Sequence, residues 1–332
     1  MGQPASLAEV WRGPFQESHH VGHAVICDGS GQIVAAWGDP DAVVLPRSSS
    51  KMIQALPLVT SGAADARGLT TEHLALACAS HQGAAIHVER VNRWLADLGL
   101  DDSALLCGPQ VSRDTDLKLA MIRNYETPCR VHNNCSGKHA GFLTLAQHLG
   151  AGPDYVDPDH PVQAACLEAF ETVTDQASPG FGIDGCSAPN FATTMHGMAR
   201  AMAWFATSAQ RSDTMSTSAS RLVEAMHTHP ELVAGEGRAC TRLMRVASEP
   251  VALKTGAEGY FTAILPTRGL GVAVKAADGA TRAAECAIAA LLVRLEMLDA
   301  EHPEVKAFLN PPIVNRDGLV TGEIRPAPGL LA

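Results

Sequence analysis

Apolar residues follow two different periods along this chain. Near the ends they form short runs bounded by turn residues. Val21 to Cys27 is followed by Asp28-Gly29-Ser30-Gly31 and by Gln32 to Trp37, which predicts a hairpin. Pro250 to Thr255, Tyr260 to Pro266 and Gly271 to Lys275 are three further strand segments. Between the ends the spacing is helical. Thr71 to Ala79, Ala84 to Leu98, His139 to Leu149, Val162 to Thr174, Ala192 to Thr207 and Met215 to Met226 all show it. Pro46 and a serine cluster lead into the run Met52, Ile53 and Leu56, a helix that Pro57 should bend or end. A last helix is expected over Thr281 to Leu298. Strands at both ends around a helical middle predict an α+β fold, with an antiparallel sheet from N- and C-terminal strands and helices packed on it. The expectation is one catalytic domain over residues 1–332, its sheet from about 20–40 and 250–276 and its helical middle from about 50–245.

Composition narrows the classes. Of 332 residues, 46% are hydrophobic and 18% charged, which suits a packed core and argues against disorder. The net charge is -10 and no Lys/Arg run occurs, so a nucleic-acid partner is not expected. The N-terminal residues lack the apolar stretch of a signal peptide. The segment Ala283 to Met297 is broken by Glu285, Arg294 and Glu296, so it should not span a membrane. Nine cysteines at irregular spacings do not form a disulfide framework. These features together predict a cytoplasmic protein.

Only six of the 25 basic residues are lysines, so each lysine asks for a reason. An amine can give up its proton and serve as a base; a guanidinium cannot. Lys51 lies three residues after Ser48, on the same helical face. Ser48 can act as a nucleophile if Lys51 takes its proton, and the helix start offers N–H groups for an oxyanion. A lone S-x-x-K also arises as an ordinary helix cap with a solvated lysine. Lys254-Thr255-Gly256 on a C-terminal strand shifts that balance, because S-x-x-K followed by K-T-G is the order of the penicillin-recognising serine enzymes. Their middle S-x-N motif is not reproduced. Ser80-His81-Gln82 stands in its place, and Ser80 is a candidate proton relay.

A second cluster suggests a metal. Cys135, His139 and Cys186 could form a three-ligand zinc site with one open position. Asp184 could orient a metal-bound water. The competing reading is two structural cysteines beside a helix-capping loop.

Taken together, Pro46 to Lys51, Ala79-Ser80-His81, His132 to His139, Asp184-Gly185-Cys186 and Lys254-Thr255-Gly256 resemble the rhizobial-type (class 3) L-asparaginases. The resemblance runs over almost the whole chain and is most specific in His-Asn-Asn-Cys-Ser-Gly-Lys-His, residues 132–139. It implies hydrolysis of L-asparagine to L-aspartate and ammonia, a fold like the serine β-lactamases, and a homodimer. It implies two Ser–Lys pairs, Ser48 with Lys51 and Ser80 with Lys254. It also implies zinc held by Cys135, Lys138 and Cys186, with His139 and Asp184 around the metal-bound water. Lys138 thereby replaces His139, which remains the alternative ligand. Two other functions are open to this sequence: a penicillin-recognising acyl transferase or β-lactamase, and a non-enzymatic zinc- or amide-binding module.

Overall fold

The sheet expected from the chain ends is present and larger than expected. In the computed structural model, which describes residues 2–331, the sheet has eight strands. Seven run in the order Pro312–Val314, Val320–Pro326, Ala5–Arg12, Phe15–Asp28, Leu270–Ala276, Tyr260–Leu265 and Ala252–Gly256. Ile33–Trp37 pairs with Phe15–Asp28 off that path, and every pairing is antiparallel. The fold is α+β.

Three strands lie outside the segments read as sheet: Ala5–Arg12, Pro312–Val314 and Val320–Pro326. Two of them have a physical reason for being hard to read. Ala5–Arg12 carries register shifts between Ser6 and Ala8 and between Val10 and Trp11. Leu7 and Ala8 are both fully buried in consequence, which erases the alternation. Val320–Pro326 contains Gly322, Glu323 and Pro326, all poor strand formers.

The helical expectations were close. Thr71–Ala77, Ala85–Asp97, Ser136–His148, Pro161–Thr174, Met195–Ala206, Thr214–Thr228 and Thr281–Arg294 are helices. Pro57 acts as expected: the helix Lys51–Gln54 ends and a new one, Leu56–Thr60, begins with Pro57 in its first turn. No described helix is long and apolar enough to cross a membrane.

The chain divides into two compact units. The sheet unit comprises the described residues up to Ser49, Thr193–Thr207, and those from Arg242 onward. Val272, Ala273 and Val274 are all fully buried, so the inner strand Leu270–Ala276 is covered on both faces. Helices Met195–Ala206 and Thr281–Arg294 pack against this sheet. Gly271 permits the first of these contacts. A Cβ there would lie 2.0 Å from Ala203 N and 2.4 Å from Ala199 O, both backbone atoms of the helix. Gly271→Ala should therefore lower the thermal midpoint by about 5 °C or more, the effect of roughly 3 kcal/mol of overpacking. A melting curve unchanged within a degree or so would show that the helix backs off freely.

The helical unit comprises Ser50–Ala192 and Ser208–Thr241. Its centre is the helix Ser136–His148, buried from Ser136 to Ala146. Helices Thr71–Ala77, Ala85–Asp97 and Pro161–Thr174 surround it. A helix buried all round has little amphipathic pattern. The lysine and the histidine of its first turn, Lys138 and His139, are therefore out of place energetically unless they have partners.

Candidate active site

The motif residues are described unit by unit. In the sheet unit, Ser48 lies in the 3-10 turn Arg47–Ser50. Arg47 has φ +52°, the left-handed region that a side chain adopts at a cost. Ser49 and Ser50 are buried, whereas Ser48 is only half-buried. Lys254 is buried in the strand Ala252–Gly256, and its Nζ donates to Thr255 O at 2.8 Å. Ser49 Oγ donates to Lys254 O at 3.2 Å, which ties the serine turn to that strand. Gly256 makes the approach possible: a Cβ there would stand 2.7 Å from both Pro46 O and Ser49 Oγ. Within the sheet unit, Ser49 thus joins the serine turn to the strand that carries Lys254-Thr255-Gly256.

In the helical unit, Lys51 is 1% exposed. Its Nζ donates to Ala79 O at 2.5 Å and to Cys135 Sγ at 3.1 Å. One amine therefore joins the residue before Ser80 to the cysteine loop. Ser80 N–H donates to Val233 O at 2.9 Å, and His81 N–H to Asn134 O at 3.2 Å. His81 Nε2 meets Ser136 Oγ at 3.0 Å, and that hydroxyl in turn donates to Val131 O. The Ser80 loop and the cysteine loop are fastened to each other at several points.

Residues 132–139 owe their geometry to Asn133. Its Oδ1 accepts from Cys135 N–H at 2.9 Å, and its Nδ2 donates to Cys107 O at 2.8 Å. Cys135 and Lys138 consequently sit at the start of the buried helix. Cys186 comes from the tip of a small hairpin, Phe181–Ile183 with Pro189–Phe191, where Ser187 also has a left-handed φ of +71°. Lys138 Nζ donates to Cys186 Sγ at 3.2 Å.

The electrostatics of this group are those of a shared proton. The hydrogen bond with Cys186, followed by burial, drives the Cys135 pKa up, so Cys135 stays a thiol. The same hydrogen bond drives the Cys186 pKa down against burial, with help from Lys138 and His139. Burial opposes the Lys138 charge, but Cys186, Cys135 and Asp184 outweigh it and the Lys138 pKa is raised. Asp184, half-exposed, acts on Lys138 as a charge, and its Oδ1 accepts from Gly185 N–H at 2.6 Å. Burial lowers the His139 pKa and keeps the imidazole neutral.

Zinc is the ion that the motif implies here, and the donor chemistry fits it. Two sulfurs and an amine lie close together in a buried region, the Cys186 pKa is lowered by its hydrogen bond with Cys135, and His139 Nε2 is buried without a hydrogen-bond partner. The triad read from spacing, Cys135 with His139 and Cys186, is a different matter. Among the described residues no three His, Cys, Asp or Glu side chains gather as a metal site. A site counting Lys138 falls outside that set of residue types.

Sequence reasoning gave no role to Tyr155, although its hydroxyl lies 2.9 Å from His139 Nδ1. A signal existed: it is one of three tyrosines in the chain and stands in a loop of Gly, Pro and Asp. An aromatic ring fully buried from such a loop needs a partner for its hydroxyl.

Among solved structures, the chain is similar to Mglu in its native form, with 16% identity and a TM-score of 0.45. That alignment covers 84% of this chain and 66% of Mglu, just under two thirds of the longer protein. It is similar to a β-lactamase from Mycobacterium bovis at 14% identity and TM-score 0.43, over 83% of this chain and 95% of that one. A Bacillus subtilis glutaminase in covalent complex with 5-oxo-L-norleucine aligns at 12% identity and TM-score 0.36, over 90% and 93% of the two chains. No curated protein matches the sequence. Residues 8–326 match the family model of L-asparaginase II, nearly the whole length, and the chain belongs to this family of amidohydrolases.

Proposed function

We propose that this amidohydrolase hydrolyses L-asparagine to L-aspartate and ammonia. The observation that carries the reading is Lys51, a buried amine bonded at once to the backbone beside Ser80 and to Cys135. In this reading Ser48 Oγ attacks the side-chain amide carbon and its proton passes to Lys51. The tetrahedral intermediate collapses as the leaving nitrogen takes that proton, and ammonia departs. Water then cleaves the Ser48 ester, which yields aspartate and restores the serine. Ser80 relays protons and Lys254 supplies positive charge. Zinc would be held by Cys135, Lys138 and Cys186, where two thiolates leave it a weak Lewis acid suited to orienting a ligand. His139 and Asp184 stand around it. The enzyme is a cytoplasmic homodimer in the same reading.

Ammonia release measured in parallel with asparagine, glutamine and a chromogenic β-lactam tests the function. Asparagine should be the best substrate. Turnover of the β-lactam alone would move the protein to the penicillin-recognising enzymes. Ammonia from neither amide would leave a binding module.

Metal analysis tests the zinc site. Protein purified without chelator should carry one zinc per chain, on the order of the stoichiometry of a three-ligand catalytic-type site. Cys135→Ala and Lys138→Ala should lose it. Because thiol and ammonium must shed protons to bind, zinc affinity should fall as pH drops. Loss of zinc should raise KM more than it lowers kcat, since the ion orients and does not attack. Metal-free wild-type protein with full activity would end the zinc proposal.

A further inference from the structure

Ser80 lies in a buried segment, Ala79 to Gly83, that is neither helix nor strand. Such a segment must find partners for its polar groups outside regular structure. Its middle residue, His81, is fully buried, and two backbone groups fix the hydrogens on its ring. Gly83 N–H donates to His81 Nδ1 at 3.1 Å, so Nδ1 presents a lone pair and carries no hydrogen. The ring is then neutral, with its hydrogen on Nε2, since a cation would need a hydrogen on both nitrogens. Nε2 lies 3.0 Å from Ser136 Oγ, and Val131 O, 2.8 Å from that oxygen, can only accept. One direction satisfies every contact: Gly83 N–H to Nδ1, Nε2–H to Ser136 Oγ, and Ser136 O–H to Val131 O.

A second imidazole holds the plane of the first. His87 stacks on His81 with ring centroids 4.7 Å apart and 10° between the planes. Its Nε2 faces Glu231 O at 2.9 Å, a carbonyl that can only accept, so this ring also carries its hydrogen on Nε2. Burial lowers the His87 pKa and keeps the ring neutral. Glu231 belongs to the short helix Pro230–Val233, whose Val233 O accepts from Ser80 N–H. On the other side Gly83 lies close against the cysteine loop: a Cβ there would stand 2.5 Å from His132 O. The segment around Ser80 is thus gripped between the helix Pro230–Val233 and residues 131–136.

We propose that His81 is a positioning residue: as a neutral Nε2–H imidazole it struts the Ser80 segment against Ser136, the first residue of the helix that carries Lys138 and His139. The ring spans from the turn at Gly83 to the helix start, so Ser80 is placed by a side chain and not by regular structure. The catalytic consequence rests on the role of Ser80 proposed above; the tautomer and the strut do not.

The test uses the full-length protein. In 15N-histidine spectra His81, identified by the signals lost in His81→Asn, should carry hydrogen on Nε2 and none on Nδ1. Hydrogen on Nδ1 overturns the proposal. Variants then separate the two ends of the ring. Asparagine places an acceptor near the Nδ1 position but stops short of Ser136, whereas glutamine places a donor where Nε2 stood. His81→Asn should lose about 10- to 100-fold in kcat for asparagine with KM little changed, and His81→Gln should recover most of that loss. Ser136→Ala removes only the accepting hydroxyl and should lose as much as His81→Asn; it carries the test if a His81 variant fails to fold. Amide exchange at Ser80 and at residue 81 should quicken about tenfold or more in His81→Asn and Ser136→Ala, and less in His81→Gln. Wild-type kcat in Ser136→Ala, or exchange equal to wild type in every variant, overturns the strut. If the wild-type protein releases no ammonia from asparagine, the asparaginase reading falls, and the spectra and amide exchange alone decide the proposal.

Discussion

Ser48→Ala should abolish amide hydrolysis while the protein stays folded. The change removes one half-exposed oxygen from a 3-10 turn. A hydroxyl lost at such a position costs about 1 kcal/mol or less in stability. The catalytic cost is of another order. Without the oxygen there is no acyl-enzyme, and the remaining groups can only hold the substrate. A drop in kcat on the order of 10⁴-fold or more is expected, with KM little changed. Because Ser49 stands beside it, Ser49→Ala is the natural companion. Ser49 Oγ is buried and bonded to the backbone of Lys254, so that variant should be less stable yet retain turnover. A folded Ser48→Ala protein with near-normal turnover would end the serine mechanism. An inactive Ser49→Ala with active Ser48→Ala would move the nucleophile by one residue.

Lys51→Arg should be nearly as damaging, for a different reason. Arginine keeps the positive charge but does not give up its proton at any pH the enzyme meets. It cannot take the serine proton, so a loss of about 10³-fold or more in kcat follows. The guanidinium is also larger than the space around an amine with 1% exposure, and overpacking should cost about 1–3 kcal/mol. Lys51→Met separates the two effects. It has a similar volume and removes the charge, so it should fold well and remain inactive. Lys118→Arg, an exposed lysine in the helix Thr115–Arg123, is the control and should keep full activity. Rates within threefold of wild type in Lys51→Arg would rule Lys51 out as the base.

The contacts among the motif residues were easier to anticipate than the outer pairings of the sheet, and the difference is physical. Cys135, Lys138 and His139 are neighbours in the chain, so a single helix turn brings them together. The hairpin Val21 to Trp37 and the last three strand segments showed their turns openly. The pairing of Ala5–Arg12 with Val320–Pro326 had no such marker, since a bulge hid the first strand's period and Gly322 and Pro326 obscured the second. Spacing favoured His139 as a ligand because imidazole is the usual nitrogen donor for zinc. Nothing in the local sequence reveals that the Tyr155 hydroxyl, sixteen residues on, lies 2.9 Å from that ring's Nδ1. The role of Lys138 came from the resemblance alone, and the contact with Cys186 is what gives it physical support.

The strand Ala5–Arg12 lies between Phe15–Asp28 and Val320–Pro326, so within this sheet the earliest strand in the chain is flanked by the latest. During synthesis the helical segments Ser50–Ala192 and Ser208–Thr241 leave the ribosome while that strand still has one open edge. The ladder from Ala8 to Pro326 closes a loop of nearly the whole chain, and such closures are slow. An unpaired edge waiting that long is a template for association with other chains. Aggregation of nascent protein should therefore depend on the speed at which the final segment arrives, and a chaperone that covers residues 5–12 should raise the soluble yield.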